Sequence, residues 1–146
     1  MLVLIAGATG NLGQKLIDSL HSHGHQVRAL GRNPSKLEAP RREKLESFVQ
    51  SEAYYDIPTL DRACKGVDVV ICAYQGIPQL QLEGQLLLLR AAERSGVKTY
   101  VAHCWSYGIG LQSEMLQSSP PPSSSGMMRL KAATGLCVLE AAHSKS

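Results

Sequence analysis

Three glycines spaced three apart, Gly7, Gly10 and Gly13 in the stretch IAGATGNLGQKL, directly follow the aliphatic run Leu2 to Ala6. A continuous aliphatic run bounded by glycine suits a strand buried on both faces, the situation of parallel sheets covered by helices. From Asn11 the period changes: Leu12, Leu16 and Leu20 recur every fourth residue with Ile17 beside them, and the stripe ends near Gly24. That is the apolar face of a helix. The unpaired amides and dipole at such a helix start favour a phosphate anion, which side chains on the turn would keep away. Gly7 allows the tight turn, Gly10 lets a phosphate approach the main chain, and Gly13 lets the helix lie close on the sheet. The spacing is Gly-x-x-Gly-x-x-Gly rather than Gly-x-Gly-x-x-Gly, so the reading depends on the strand before it and the helix after it.

The rest of the chain supplies that context. Strands are expected at 26–30, 47–51, 67–73 and 97–103. Helices are expected from Pro34, over the stretch IPTLDRACKG, and from about Gln79 to Ser95, with Gly96 as a C-terminal cap. Alternation at this spacing predicts an α/β fold, a doubly wound parallel sheet of about five strands in the order 3-2-1-4-5, in three αβα layers. This domain is expected over residues 1–107. Residues 108–126, rich in Gly, Ser and Pro and including three consecutive prolines, read as a linker or loop. Residues 127–146 read as a terminal helix and tail, although Gly135 in its middle costs about 1 kcal/mol relative to alanine.

A dinucleotide site of the NAD type has a carboxylate about 20 residues past the glycines, at the end of the second strand, to hold the ribose hydroxyls. Here Arg32 stands 19 positions after Gly13 with Lys36 a turn further on, and no acid occupies that place. A guanidinium forks onto phosphate oxygens and accommodates the extra 2′-phosphate of NADP, whereas a carboxylate repels it. NADP (NADPH) is therefore favoured over NAD. Solvated loop charges are the alternative account of both residues.

The totals set bounds. With 15 Lys and Arg against 12 Asp and Glu in 146 residues, the net charge of +3 is too mild to call for nucleic acid or a membrane surface. The basic residues are concentrated: Arg28, Arg32, Lys36, Arg41, Arg42 and Lys44 face only Glu38 and Glu43 within 28–44. Cys64, Cys72, Cys104 and Cys137 form no Cys-x-x-Cys pair, and the short N-terminal apolar run lacks the features of a secretory signal. No stretch has the roughly 18 apolar residues a spanning helix needs. Reduced thiols and a cytoplasmic protein are the expectation.

Taken together, AGATGNLGQKL, VRALGRNPSK, DIPTLDRACKGVDVVICA and LLLLRAAERSGVKTYVAHCWSY resemble the NmrA-like and isoflavone-reductase-like branch of the atypical short-chain dehydrogenases, over residues 1 to about 107. The resemblance implies an NAD(P)-binding Rossmann domain with Gly7, Gly10 and Gly13 as the pyrophosphate loop, lined by Thr9, Asn11 and Leu12. It places Arg32 and Lys36 on the 2′-phosphate, and Ala73 and Tyr74, after the fourth strand, beside the adenosine. The chain departs from the family at Glu52-Ala53, where Gly-Asp is frequent, and at Ala102 to Ser106, where reductases resemble Pro-Ser-Glu-Phe-Gly. Asp56 reads as a helix cap. The family continues for about as much chain again, with the substrate pocket and, in reductases, a catalytic lysine. A shortened product is therefore expected, and one possibility is that it is too incomplete to bind well, with the edge of the fifth strand exposed to aggregation or a partner.

Other candidates read as structural. His21, His23 and His25 lack neighbouring ligands and read as surface or capping residues rather than a metal site. Cys72, Cys104 and His103 lie near the carboxyl ends of predicted strands, where ligands bind in such sheets, but nothing in the sequence places a carboxylate to orient the histidine. Tyr54 and Tyr55 are too few to stack bases. No Tyr-x-x-x-Lys occurs, and no catalytic residue is identifiable. Two functions stay open: the cofactor-binding part of an NADPH-dependent reductase of a small organic substrate, and a non-catalytic NADP-sensing module that engages a protein partner.

Overall fold

The computed structural model describes residues 1–102 in full and, further on, the backbone of the strands at 128–133 and 136–141. Strand β1 (Leu2–Ala6) leads through the glycine turn into α1 (Asn11–Ser22), and β2 (Gln26–Gly31) follows. A single 3-10 turn (Pro34–Lys36) and the short helix α2 (Ala39–Glu43) stand where the sequence predicts one helix from Pro34. The Asn33 side chain accepts a hydrogen bond from the Ser35 amide at 3.0 Å and starts the turn, and Pro40 sits in the first turn of α2. Next come β3 (Leu45–Gln50), α3 (Ile57–Cys64) and β4 (Val69–Cys72). The long helix expected from Gln79 is split into a π-helical turn (Leu80–Gly84) and α4 (Gln85–Arg94), before β5 (Thr99–Ala102). Gly84 is buried there because a Cβ would stand 3.0 Å from Leu80 and 3.3 Å from Tyr54.

The first five strands are parallel in the order β3-β2-β1-β4-β5, as the alternation predicts. Two corrections follow from the tail. The expected terminal helix is instead a pair of antiparallel strands, β6 (Met128–Ala133) and β7 (Leu136–Ala141), with Ala133 paired to Leu136 across two intervening positions. The physical reason is in the sequence: Arg129 and Lys131 alternate with Leu130 and Ala132, a period of two, and Gly135 opposes a continuous helix. The edge of β5 is likewise not left bare, because β7 pairs along it from Thr99 to Ala102. The expected linker at 108–126 lies outside the described residues.

Two apolar layers flank the sheet. Leu4, Ala6, Val70 and Cys72 pack with Leu60 and Ala63 of α3 and Leu88, Ala91 and Ala92 of α4. Ile5, Val27 and Ala29 pack with Ile17 of α1 on the other face. Successive residues of β1 thus feed opposite layers, which is why its sequence is apolar without alternation. Truncating Leu4 or Ile5, both fully buried, to alanine would cost about 2–5 kcal/mol.

The amino ends of the strands are fixed by polar side chains. Asp68 accepts the Leu2 amide at 2.9 Å. Arg28 ties three elements together: it pairs with Glu46 and Ser47 of β3 and donates to the carbonyls of Ala63 and Lys65 at the end of α3. That leaves the carboxyl ends of β1 and β4, where the order of strands reverses, as the crevice in which such sheets bind ligands.

Candidate functional site

The first turn is built at that crevice. Gly7 has φ +79, a conformation that favours glycine, and a Cβ on it would lie 2.7 Å from the Ala73 carbonyl oxygen. The amides of Gly7 and Ala8 both donate to the Leu30 carbonyl, at 3.0 and 3.3 Å, which ties the loop to the end of β2. Gly13 is pressed onto the same loop: its Cβ would fall on the Gly7 carbonyl oxygen and stand 2.6 Å from Ala8 Cα. Helix α1 therefore meets the sheet at backbone distance.

Gly10 is the N-cap, extended at φ −76 and ψ 169, and as a glycine it brings no side chain to cap the turn. The first intrahelical bond runs from the Gln14 amide to the Gly10 carbonyl at 3.0 Å. The amides of Asn11, Leu12 and Gly13 precede it, and helix geometry leaves them without an intrahelical acceptor. A cradle closed to side chains at Gly7 and Gly13, with an uncapped helix start at Gly10, has the geometry a pyrophosphate requires. Asn11 is exposed at the first helical position, whereas Leu12 turns its side chain onto the core beneath α1. Thr9 packs at the end of β2, its Cγ2 3.3 Å from where a Gly31 Cβ would be. Sequence reasoning missed Gln14, whose side-chain amide donates to the Thr9 carbonyl at 3.0 Å. Its signal was a glutamine at the helix start, able to reach back as residues of a capping box do.

The basic stretch after β2 separates into two kinds of residue. Arg28 is paired with Glu46, while Arg41 and Lys44 share Asp18. Arg42 donates to the Leu37 carbonyl at 2.8 Å. Arg32 and Lys36 are exposed, and among the described residues neither forms an ion pair. Arg32 sits one residue past β2, where its carbonyl accepts from Gln50 at 3.1 Å. The loop after β3 closes beside it, with the Ser51 amide on the Gly31 carbonyl at 3.0 Å.

Ala73 and Tyr74 follow β4, and both are buried. The Tyr74 ring packs in the layer of α3 and α4, and burial pushes its hydroxyl well above the usual tyrosine range. The expectation that Tyr74 lies beside an adenosine therefore holds at most for its backbone. The reason is the reach of β4, whose core-facing positions extend past Cys72 to the tyrosine. Asp56 accepts the Thr59 amide at 3.3 Å and caps α3. His23 ends α1, its Nδ1 donating to the Ser19 carbonyl at 2.7 Å. A hollow of about 370 Å³ lined by His21, His25, Lys44 and Glu46 opens at the amino ends of β2 and β3, away from the glycine loop. Cys64 and Cys72 are both buried, and burial pushes the Cys64 thiol up to about 12. His103 and Cys104 lie outside the described residues.

Known proteins are similar to this chain in sequence and fold. A family model described as NAD(P)H-binding matches residues 7–133. The chain is 34% identical over 106 residues to the bifunctional pinoresinol-lariciresinol reductase of Linum usitatissimum, a match covering 68% of this chain and 34% of that protein. It is 32% identical over 102 residues to an isoflavone reductase homolog of Lupinus albus, covering 64% and 33% of the two chains. The chain thus spans about a third of the length of these relatives. In fold it is similar to a Rossmann-fold NAD(P)-binding family protein from Shigella flexneri, with a TM-score of 0.59 at 22% identity over 68% of this chain and 49% of the other.

Proposed function

The chain belongs to the NAD(P)H-binding family, in the NmrA-like and isoflavone-reductase-like branch of the atypical short-chain dehydrogenases, and from that premise we propose that it takes NADP in preference to NAD for a reductase-type reaction on a small organic substrate. An NAD(P)-binding Rossmann domain is what the family and the sheet establish, and the oxidoreductase-type reaction is our reading from the reductases it resembles. The preference for NADP is our reading, and one observation carries it. Of the six basic residues between 28 and 44, Arg32 and Lys36 enter no ion pair among the described residues, Arg32 standing at the end of β2 where an NAD site would have a carboxylate and Lys36 in the turn that follows.

In this reading the amides at the start of α1 bind the pyrophosphate, Gly7, Gly10 and Gly13 keep side chains out of its way, and Thr9, Asn11 and Leu12 line it. Arg32 and Lys36 hold the 2′-phosphate through charge-assisted hydrogen bonds. Ala73 and the Tyr74 backbone border the adenosine. When bound, NADPH supplies a hydride, and the protein's part is to position the cofactor for it. A reducing, cytoplasmic setting belongs to the same reading.

Calorimetric titration with NADPH and NADH tests the assignment. NADPH is expected to bind about tenfold or more tightly than NADH, since hydrogen bonds to charged groups contribute about 1.5–3 kcal/mol. Arg32→Asp is expected to reverse that order. Equal affinities in the unaltered chain would remove Arg32 from the site.

A further inference from the structure

The Thr9–Gly10 peptide is bonded at both ends. Its carbonyl oxygen accepts from Gln14 Nε2 at 3.0 Å, and its N–H donates to the Gly7 carbonyl at 3.1 Å. A glycine-rich turn has wide backbone freedom, so a peptide held from both sides loses the rotation that would otherwise re-aim the amides that follow it. The Gln14 amide is itself fixed. Its Oε1 accepts from Arg41 Nη1 at 2.8 Å, and since a guanidinium only donates, the amide has one orientation that satisfies both partners. Arg41 in turn donates through Nε to Asp18 at 3.0 Å, and Lys44 takes the other Asp18 oxygen at 2.8 Å. Gln14 and Asp18 stand four apart on α1, on one face of the helix, and Arg41 forks onto both.

We propose that Gln14 is a positioning residue for the dinucleotide, holding the glycine loop in its binding conformation, and that Arg41 of α2 holds Gln14. This rests on the dinucleotide reading above. Gln14 bonds the Thr9 carbonyl and not the amides that follow it, so it acts by pre-arranging them, which lowers the ordering cost of binding. The pyrophosphate is common to NADPH and NADH. Loss of the clamp therefore weakens both cofactors by the same factor and leaves their ratio unchanged, which separates it from any role at the 2′-phosphate.

Gln14→Glu is the direct test, because a carboxylate keeps the bond to Arg41 but has no N–H for the Thr9 carbonyl. Gln14→Met keeps the length and loses both bonds. Affinities for NADPH and NADH are measured by calorimetry on each variant, with thermal melting to establish that it is folded. The expected result is about a three- to tenfold loss for both cofactors in each folded variant. Arg41→Ala should weaken binding in the unaltered background and have little further effect on Gln14→Met. Lys44→Ala, which removes the other partner of Asp18, should leave both affinities unchanged. Failure of the unaltered chain to bind either cofactor would overturn the dinucleotide reading itself. Binding by the unaltered chain, together with unchanged affinities in folded Gln14→Glu or Gln14→Met, would overturn the clamp alone.

Discussion

The carbonyl oxygen of Gly7 occupies the space in which a side chain on Gly13 would begin. The contact joins the end of β1 to the first turn of α1 at backbone distance, with Ala8 Cα 2.6 Å from the same would-be Cβ. Gly13 is therefore required by packing as well as by any ligand.

Gly13→Ala should destabilise the fold by about 1–3 kcal/mol or more, since it forces backbone against backbone. Gly24 makes the comparison: it has φ +80 but nothing within 4 Å of its would-be Cβ, so Gly24→Ala should cost only the left-handed conformation, about 1–2 kcal/mol. Urea denaturation of the two variants checks the order. A Gly13→Ala variant as stable as the unaltered chain would mean that α1 does not sit this close to the sheet.

Much of this was legible in the sequence. Continuous apolar runs at Leu2 to Ala6 and around Val70 gave the buried strands, and the fourfold leucine spacing gave α1. The expectation of a helix in the tail rests on its apolar content, which suits helix or strand alike; the period of two at 129–132 favours a strand, and β5 supplies the edge on which β7 pairs. The site was legible where backbone makes it, since glycine spacing reports close approach directly. It was not legible where a side chain's direction matters: Tyr74 follows β4 as expected, but its ring packs inward, and the Gln14–Arg41 contact spans 27 residues that no local pattern relates.

Cys64 should resist alkylation in the folded protein. Burial raises its thiol to about 12, so almost no thiolate exists at pH 8, and the side chain is inaccessible as well. Iodoacetamide at pH 8 should label Cys64 only after denaturant is added, as read by peptide mass spectrometry. The linked effect on stability has a definite sign. A folded value raised above the unfolded one gives a contribution that is complete below about pH 8.5 and is lost as pH climbs toward about 12.

Acid should act through Asp18 and Glu46. The Lys44 and Arg41 hydrogen bonds hold the Asp18 carboxyl below the usual range, and those of Arg28 and Ser47 do the same for Glu46. A depressed folded value contributes stability that is present above the unfolded carboxylate range and lost as pH falls through the folded value. Melting temperature should therefore fall with pH below about 4, and Asp18→Asn together with Glu46→Gln should flatten that fall. An acid limb of unchanged steepness in the double variant would contradict it.

The central claim is that the uncapped start of α1 exists for a dinucleotide, and Gly10→Asp tests it most directly. Gly10 already has the extended backbone of an N-cap, a conformation open to any residue, aspartate is a preferred N-cap, and a Cβ there would stand 3.3 Å from the Gly7 carbonyl oxygen, a contact relieved by a shift of a few tenths of an ångström. Its carboxylate would take the amides that a pyrophosphate needs and repel the anion. The measurement is calorimetric affinity for NADPH and NADH beside urea stability. The account predicts stability within about 1 kcal/mol of the unaltered chain and loss of both cofactors by about a hundredfold or more. A folded Gly10→Asp that binds them as the unaltered chain does would contradict it.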